Sequence, residues 1–260
     1  MSAALKLRVA GSLAAAGALA LSGGSASAAC WPHGPQSYTC TGGSIPSGTY
    51  SKLKVEGACN VVPDAKIRVL GNVHVAAGAE FDAQSAPSTI TIRGNVVGDE
   101  GSLVGLGCEP MSYTGNSAHP CTVEPDAHST ITVRGNVRAT DAAAVLLNGT
   151  TIFGHVTLRG GGSQIPWAIK NNTIRGNLTA SGQKTDWLGV LFNKVGGSVT
   201  LTDIALSDPD PGAPGVFIVR NTIGWDLRCS GLTPGVSGGF VPGSVNVVGH
   251  KATGQCASLV

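Results

Sequence analysis

Apolar and polar residues along this chain recur in a five-residue pattern: aliphatic, any residue, Gly, small polar, aliphatic. Before many copies the aliphatic residues alternate with polar ones, as in residues 88–96 (STITIRGNV) and 129–137 (STITVRGNV). Alternation of period two predicts β-strands, and Gly followed by Asn, Ser or His predicts a bend after each strand. The clearest copies are VLGNV, IRGNV, VRGNV, IFGHV, IRGNL and VGGSV, which begin at Val69, Ile92, Val133, Ile152, Ile174 and Val195.

The spacing of the pattern predicts the architecture. Its central position falls at 57, 71, 94, 135, 154, 176, 197, 225 and 249 if three weaker copies are included, and most steps are 19 to 28 residues. Such a period is typical of a solenoid. Each unit has room for two or three short strands, which is one coil of an all-β parallel β-helix. The general preference of parallel crossovers favours a right-handed coil, and nine coils at the strand spacing make a rod about 40 Å long.

The pattern also predicts the core. The aliphatic residues of successive units should stack inside one continuous interior, so Val73, Ile92, Val133, Ile174 and Val195 are expected to point inward. No segment after residue 30 has the long amphipathic pattern of a helix, which disfavours the doubly wound α/β folds.

The beginning of the chain predicts export. Lys6 and Arg8 precede an apolar, Ala-rich run that ends in the small residues Ala26, Ser27 and Ala28, a pattern typical of a secretory signal peptide over residues 1–28. We therefore expect a secreted protein, extracellular or associated with the cell wall, without a transmembrane segment. Cys30 leaves lipid attachment open as an alternative. The predicted organisation is a cap segment (29–50), the β-helix (51–228) and a capping coil with a tail (229–260).

Charge narrows the range of partners. Removal of residues 1–28 leaves 15 basic residues (17 − 2) against 15 acidic ones. A nearly neutral chain with 12% charged residues has no basic field to attract nucleic acid or anionic lipid. We expect a polysaccharide or another component of the cell envelope as the partner, and no cofactor, with Ca²⁺ as a weaker alternative.

Seven cysteines in an exported chain predict disulfide bonds. Their positions suggest three local pairs that staple the two ends and close an inserted loop. The remaining Cys59 occupies an aliphatic position of the repeat, so we expect it to be a buried free thiol. The predicted pairs are Cys30 with Cys40, Cys108 with Cys121, and Cys229 with Cys256.

The double step between positions 94 and 135 contains an insertion at about residues 101–128. Insertions on one face of a repeat protein often carry binding or catalysis, whereas the plain alternative is a solvated surface loop. If the protein is an enzyme, the loop acids Glu109, Glu124 and Asp126 together with Arg93 and Arg134 are the candidate catalytic residues. A hydrolase needs paired carboxylates, and a lyase needs a base and groups that neutralise a uronate.

Stacking the repeats in register reveals further candidates. Asn172, Asn193 and Asn221 occupy one equivalent position, which predicts an Asn ladder at a corner. Trp167 and Trp187 lie near the starts of strands, where exposed rings stack on sugars, and Arg175 belongs to an Arg column with Arg93 and Arg134. The alternative for each Trp is core packing. The acidic stretch that contains Asp203, Asp208 and Asp210 is a weak candidate for Ca²⁺ binding, and an exposed loop is its simpler interpretation.

Three segments carry a resemblance: GTYSKLKVEGACNVVPDAKI (48–67), the IRGNV units, and NTIGWDLRCSG (221–231) followed by GQCASL. The chain resembles a group of small exported β-helix proteins of actinobacteria that are mostly described as hypothetical or secreted. Trp225 and Asp226 stand where that group usually has Gly and Asn. The resemblance implies the fold and export, and it brings no catalytic residues.

The function predicted from the sequence is a non-enzymatic structural or binding module of the cell envelope, which contacts polysaccharide or protein along one face of the rod. The alternative is a polysaccharide lyase or glycoside hydrolase with a site in a groove near residues 101–128. Only the analogy to other β-helices supports that alternative.

Overall fold

The computed structural model of the protein describes residues 34–260, which form three long parallel sheets. The chain passes through sheets A, B and C in turn, so that each coil contributes one strand to each sheet. Sheet A has ten strands, and sheets B and C have nine each. The predicted all-β parallel β-helix is confirmed. The predicted signal peptide, Cys30 and Trp31 lie outside the described residues.

The strands are short and nearly uniform in length. Sheet A consists of β1 (Tyr38–Cys40), β4 (Leu53–Val55), β7 (Val73–Val75), β10 (Val96–Gly98), β13 (Val137–Thr140), β16 (Val156–Arg159), β19 (Leu178–Ser181), β23 (Val199–Thr202), β27 (Leu227–Ser230) and β30 (Ala252–Gly254). Sheet B consists of β2 (Gly43–Ile45), β5 (Ala58–Val61), β8 (Glu80–Ala83), β11 (Leu103–Leu106), β14 (Ala144–Asn148), β17 (Trp167–Lys170), β21 (Leu188–Leu191), β25 (Val216–Val219) and β28 (Val236–Ser237). Sheet C consists of β3 (Gly48–Tyr50), β6 (Ala65–Val69), β9 (Ser88–Ile92), β12 (Thr130–Val133), β15 (Thr150–Ile152), β18 (Thr173–Ile174), β22 (Lys194–Val195), β26 (Thr222–Ile223) and β29 (Val247–Val248).

Little else is regular in the described part of the chain. Strands β20 (Lys184–Thr185) and β24 (Ala205–Leu206) pair with each other at the A–B corner, between sheets A and B. Helix α1 (Met111–Thr114) and two short 3-10 helices (Gly115–Ser117 and Gln255–Ser258) complete the secondary structure. None of the helices in residues 34–260 has the length and apolar character needed to cross a membrane.

The core is a stack of aliphatic side chains in register. On sheet A, Val73 pairs with Val96, and Val96 pairs with Val137. The five residues expected to point inward are all at most 1% exposed, which confirms the predicted interior: Val73, Ile92, Val133, Ile174 and Val195. Because every coil buries the same positions, the repeat in the sequence is the repeat of the core.

The central Gly of the pattern lies at the C–A corner, where the chain passes from sheet C to sheet A. A Cβ on Gly135 would come within 2.5 Å of the carbonyl oxygen of Gly94, and one on Gly154 would come as close to that of Gly135. Successive backbones therefore approach too closely for any side chain directed at the preceding coil. This steric limit explains the periodic Gly of the sequence.

The Asn ladder is confirmed and is longer than predicted. It runs up the B–C corner, between sheets B and C, where Oδ1 of Asn193 accepts the backbone N–H of Asn172 at 3.0 Å and Oδ1 of Asn221 accepts that of Asn193 at 2.9 Å. Asn246 is an additional member that accepts from the N–H of Asn221 at 2.9 Å. All four side chains are buried.

One of the three predicted disulfide pairs is wrong. Cys40 bonds to Cys59, with a Cα–Cα distance of 6.4 Å, and not to Cys30. The core position expected for Cys59 is correct, but Cys59 is no free thiol, because Cys40 of the first coil points into the same interior. The predicted pairs of Cys108 with Cys121 and of Cys229 with Cys256 are confirmed.

Candidate functional site

The inserted loop, residues 107–128 between β11 and β12, leaves the solenoid at the B–C corner and folds over the outer face of sheet B. Nζ of Lys170 on β17 donates to the carbonyl of Ala118 at 2.9 Å, and Nδ2 of Asn171 donates to that of Ser117 at 2.9 Å. The disulfide between Cys108 and Cys121 closes the loop. The loop is therefore fastened two coils beyond the strand from which it starts.

Three titratable side chains lie partly buried at the base of this loop: Glu109, His119 and Lys170. Burial raises the pKa of Glu109, although the charges of His128 and Lys170 act in the opposite direction. Burial lowers the pKa of Lys170 and of His119. The Glu109 carboxyl packs against Gly149, where a Cβ would lie 2.4 Å from it, and Oε2 has no hydrogen-bond partner within residues 34–260. An acid and two bases with shifted pKa values thus lie close together at the base of the loop.

Beside this cluster lies a groove of about 910 Å³ on the outer face of sheet B. One wall is the inserted loop, including Met111 of α1, and the other is the segment 239–244 that follows β28. The floor consists of outward residues of β21 and β25. Grooves of this size accommodate small ligands or segments of longer chains.

The floor of the groove is apolar because β21 and β25 carry apolar side chains on both faces. Leu191 pairs with Val219 on the outer face, and Gly189 pairs with Phe217 there. Other strands of the rod present polar residues outward, as Thr200 does on β23. Two neighbouring strands therefore create an apolar strip on the outer face of sheet B.

Three aromatic rings cross this strip. The Trp187 ring lies over Gly189, since a Cβ at residue 189 would come within 2.2 Å of it. Ring centroids are 5.3 Å apart for Trp187 and Phe217 and 5.6 Å apart for Phe217 and Phe240, distances typical of favourable aromatic pairs. Phe240 on the second wall is 61% exposed. The rings thus form a continuous surface that ends in a side chain accessible to a ligand.

Arg220 is the charged residue of the groove lining within the part of the chain that the structure describes. It follows β25 at the B–C corner, its backbone is left-handed with φ of 51°, and its side chain is exposed. It forms no ion pair with another residue of the range 34–260. The groove therefore has one cationic end.

The predicted catalytic residues do not converge. Glu109 lies at the base of the loop, whereas Glu124 and Asp126 are exposed on a separate shallow surface of the same loop. Arg93 and Arg134 are exposed at the C–A corner, because each follows a strand of sheet C. The expectation of a shared groove for these acids and arginines is wrong, since the loop and the Arg column occupy different corners.

The three predicted binding residues, Trp167, Trp187 and Arg175, lie in different surroundings. Trp167 is wholly buried and donates from Nε1 to the carbonyl of Ala143 at 3.0 Å, so its role in stacking on sugars is wrong. It pairs with the inward Leu188. Trp187 lies in the groove and stays a candidate. Arg175 stacks on the ring of Phe153 at 3.9 Å, away from the groove at the C–A corner.

The side chains of Asp203, Asp208 and Asp210 do not come together as a group of possible metal ligands within residues 34–260. Oδ1 of Asp210 accepts the backbone N–H of Gly212 at 3.0 Å within its own turn. In residues 34–260, no group of three or more His, Cys, Asp or Glu side chains has the arrangement of a metal site.

Three floor residues were missed in the sequence: Leu191, Phe217 and Val219. A signal for them exists, because residues 216–219 read VFIV and residues 189–192 read GVLF, whereas residues 199–202 read VTLT. An uninterrupted apolar run in a short strand indicates burial on both faces. Applied to this rod, the rule indicates covered strands of sheet B, and residues 144–147 of β14 (AVLL) meet it as well.

No protein-family model, curated protein or solved structure matches this chain significantly.

Proposed function

We propose that the protein is an exported binding module of the cell envelope whose binding site is the groove on sheet B, where polysaccharide or protein is contacted. The observation that carries this proposal is the apolar, aromatic floor between two walls. Large apolar side chains exposed to solvent on a protein surface indicate an interaction site, and Met111, Phe240 and Val241 of the two walls are 66%, 61% and 48% exposed.

The chemistry of the lining favours binding over catalysis. Within the described residues the groove lining includes no carboxylate. Glycoside hydrolysis needs two carboxylates that face the scissile bond, and the Glu109 carboxyl packs instead against the backbone of Gly149. Ordered apolar and aromatic side chains are sufficient for binding.

The test is retention of the purified chain on a panel of envelope polysaccharides and proteins, with the variant Trp187→Ala and the matched control Trp225→Ala. Trp225 is 62% exposed at the C–A corner, away from the groove. We expect Trp187→Ala to weaken binding about tenfold, as loss of an aromatic anchor does, and Trp225→Ala to leave it unchanged. The opposite pattern of losses, or equal losses, would refute the groove as the site.

A polysaccharide lyase or glycoside hydrolase stays a second proposal because of the cluster beside the groove. Shifted pKa values of neighbouring acids and bases are typical of catalytic sites, and Glu109 and Lys170 shift in opposite directions. The same panel should be assayed for reducing ends and unsaturated products. Turnover that disappears in both Glu109→Gln and Lys170→Met would favour the enzyme, whereas product formation unaffected by both would reject this site.

Export is part of the proposal, and the disulfides support it. Three disulfide bonds in residues 34–260 are expected to persist only in an oxidising compartment. We propose cleavage after Ala28, and membership of the exported actinobacterial group that the chain resembles, in agreement with the β-helix fold. Intact-mass measurement of protein from the culture medium tests the cleavage, because retention of residues 1–28 or a lipid on Cys30 would contradict it.

A further inference from the structure

The chemistry of the groove restricts what it can bind. Its floor consists of Leu191, which is partly exposed, and of Phe217 and Val219, which are only 6% and 7% exposed, and none of these side chains offers a hydrogen bond to the hydroxyl groups of a sugar. Burying hydroxyl groups without hydrogen-bond partners costs free energy, whereas burying methylene groups contributes to binding. The floor therefore matches an apolar chain better than a polyhydroxylated one.

The two ends of the groove also differ in their chemistry. The apolar strip extends along the strands from Trp187, just before β21, to Leu191 at its end, a distance of about 13 Å for four extended residues. At the far end of the neighbouring strand stands Arg220, exposed and without an ion pair to another described residue. An apolar body and an anionic end are the two features that this arrangement complements.

We propose that the groove binds one molecule of an amphiphile with an unbranched apolar chain and an anionic head, of which a fatty acid carboxylate is the simplest form. The chain lies along the strip between Trp187 and Leu191, and the head pairs with Arg220. This inference rests on the proposed function for the groove as the binding site and differs from it in the ligand, which is an amphiphile instead of a polysaccharide or protein.

Charge complementarity supports this occupant over the alternatives. The lining in the described residues carries one cation and no carboxylate, so an anionic head is attracted and a cationic head is repelled. The mature chain is nearly neutral, with 15 basic and 15 acidic residues, so attraction to an anionic membrane surface as a whole is weak. A single amphiphile is therefore favoured over a lipid bilayer.

The experiment titrates the purified mature chain with dodecanoate below its micellar concentration, by calorimetry and tryptophan fluorescence. We expect one-to-one binding, about tenfold tighter for dodecanoate than for decanoate, because two more methylene groups are buried. Dodecyltrimethylammonium, with the same chain and a cationic head, should bind at least about tenfold more weakly.

Two variants and a matched control locate the site. Leu191→Asp puts a charge into the floor without touching the core and should weaken dodecanoate binding at least about tenfold. Thr200→Asp makes an equivalent outward change on sheet A of the next coil and should have no effect. Arg220→Gln should abolish the preference for the anionic head while the uncharged dodecanol binds as before.

The outcomes separate the ligand from the site. Oligosaccharide binding that Leu191→Asp removes, without dodecanoate binding, overturns the amphiphile and leaves the groove as the site. Dodecanoate binding that is indifferent to Leu191→Asp, or binding to anionic vesicles without binding of monomeric dodecanoate, also overturns it. If no ligand of either panel responds to Leu191→Asp, both proposals fail.

Discussion

Two corners of the rod carry ladders of side chains that accept backbone N–H groups, and the two ladders differ in composition. The ladder at the B–C corner is buried, and every member is Asn: Asn172, Asn193, Asn221 and Asn246. The ladder at the C–A corner lies near the surface except for its last member, Asp226, which is 7% exposed. Its members are of four types: Asn72, Asn95, Asn136, His155, Asn177, Ser198 and Asp226.

The difference in composition shows that access to water determines which residue types a ladder tolerates. In the buried ladder Nδ2 of Asn193 donates to the carbonyl of Ile169 at 2.8 Å and to Oδ1 of Asn221 at 3.0 Å, so both hydrogens of its amide are used. A residue without that amide would remove both of these donated hydrogen bonds from the interior. At the surface, water supplies missing donors, so an acceptor is sufficient. His155 and Ser198 meet that weaker requirement.

The same contrast bears on the proposed binding site. The hydrogen bonds of the buried ladder help to hold the B–C corner in place, and the inserted loop and Arg220 both lie at this corner. Ser117 of the loop bonds through Oγ to Oδ1 of Asn171, at 2.6 Å, one residue before the ladder. The wall and the cationic end of the groove thus rest on the more rigidly specified corner.

The largest effect is expected at the centre of the buried ladder. Asn193→Ala leaves the N–H of Asn172 without its acceptor in the interior and removes the hydrogen bonds that Nδ2 donates to the carbonyl of Ile169 and to Oδ1 of Asn221. Each unpaired buried group costs about 1 to 3 kcal/mol. We expect a loss of about 3 kcal/mol in the free energy of unfolding and a fall in melting temperature of about 10 °C. Thermal unfolding followed by circular dichroism measures both.

The matched change in the surface ladder should be milder. Asn136→Ala removes the acceptor for the N–H of His155, which Oδ1 of Asn136 receives at 2.8 Å, but water can reach this corner. We expect a loss of about 1 kcal/mol. Equal losses for Asn136→Ala and Asn193→Ala would show that burial does not explain the difference in composition.

The sequence predicts the coil, its core and the buried ladder because these repeat. Periodicity makes each copy evidence for the others, and the stack of Val73, Val96 and Val137 follows directly. The five-residue pattern does not reveal Asn246, because the last copy of the pattern, with its centre at residue 249, is placed one residue too early. Val248, and not Val247, pairs with Ile223, which puts Asn246 two residues before the aliphatic position, as in the other coils.

The site was harder to predict because it lies where the repeat fails. Alternation alone cannot tell which of two tryptophans at strand starts points inward, and only the register, in which Trp167 pairs with Leu188, decides it. The second wall, residues 239–244, belongs to an irregular segment without a repeat to align. The partner of Cys40 was also predicted wrongly, as Cys30 instead of Cys59. The reason is the same, since proximity in the sequence does not show which side chains share the interior.

Glu109 gives a further test of the effect of burial at the B–C corner. Its partly buried carboxyl has a pKa raised from the ordinary value of 4.5, mainly by burial. The unfolded chain therefore loses this proton at lower pH than the folded one, and stability is lost as pH rises from about 4.5 through the folded pKa.

We expect Glu109→Gln to raise the free energy of unfolding by about 1 kcal/mol at neutral pH, since it removes a charge that is half withdrawn from water. The gain should vanish below about pH 4, where both states hold the proton. Melting temperatures of both proteins across this range measure it. A gain that is independent of pH would mean that desolvation of the carboxylate is not its cause.

The smallest effect is expected at the end of the surface ladder, where Asp226 replaces the usual Asn. The hydrogen bond with Nδ1 of His250, at 2.7 Å, is the main cause that lowers the pKa of Asp226 below 3.8, and the nearby Arg228 and the N–H of Lys251 act in the same direction. The stabilisation is therefore present above about pH 4 and is lost as pH falls through the folded pKa.

Asp226→Asn keeps an acceptor for the N–H of Lys251 and introduces the amide that most members of this ladder have. It should lower the melting temperature slightly at pH 6 and leave it unchanged once the pH has fallen below the lowered folded-state pKa of Asp226, where the carboxyl of the original protein is protonated. High salt should reduce the difference, because Arg228 and His250 are exposed at this corner. A variant as destabilised as Asn193→Ala would mean that this rung behaves like a buried one, and the contrast between the two corners would then rest on something other than access to water.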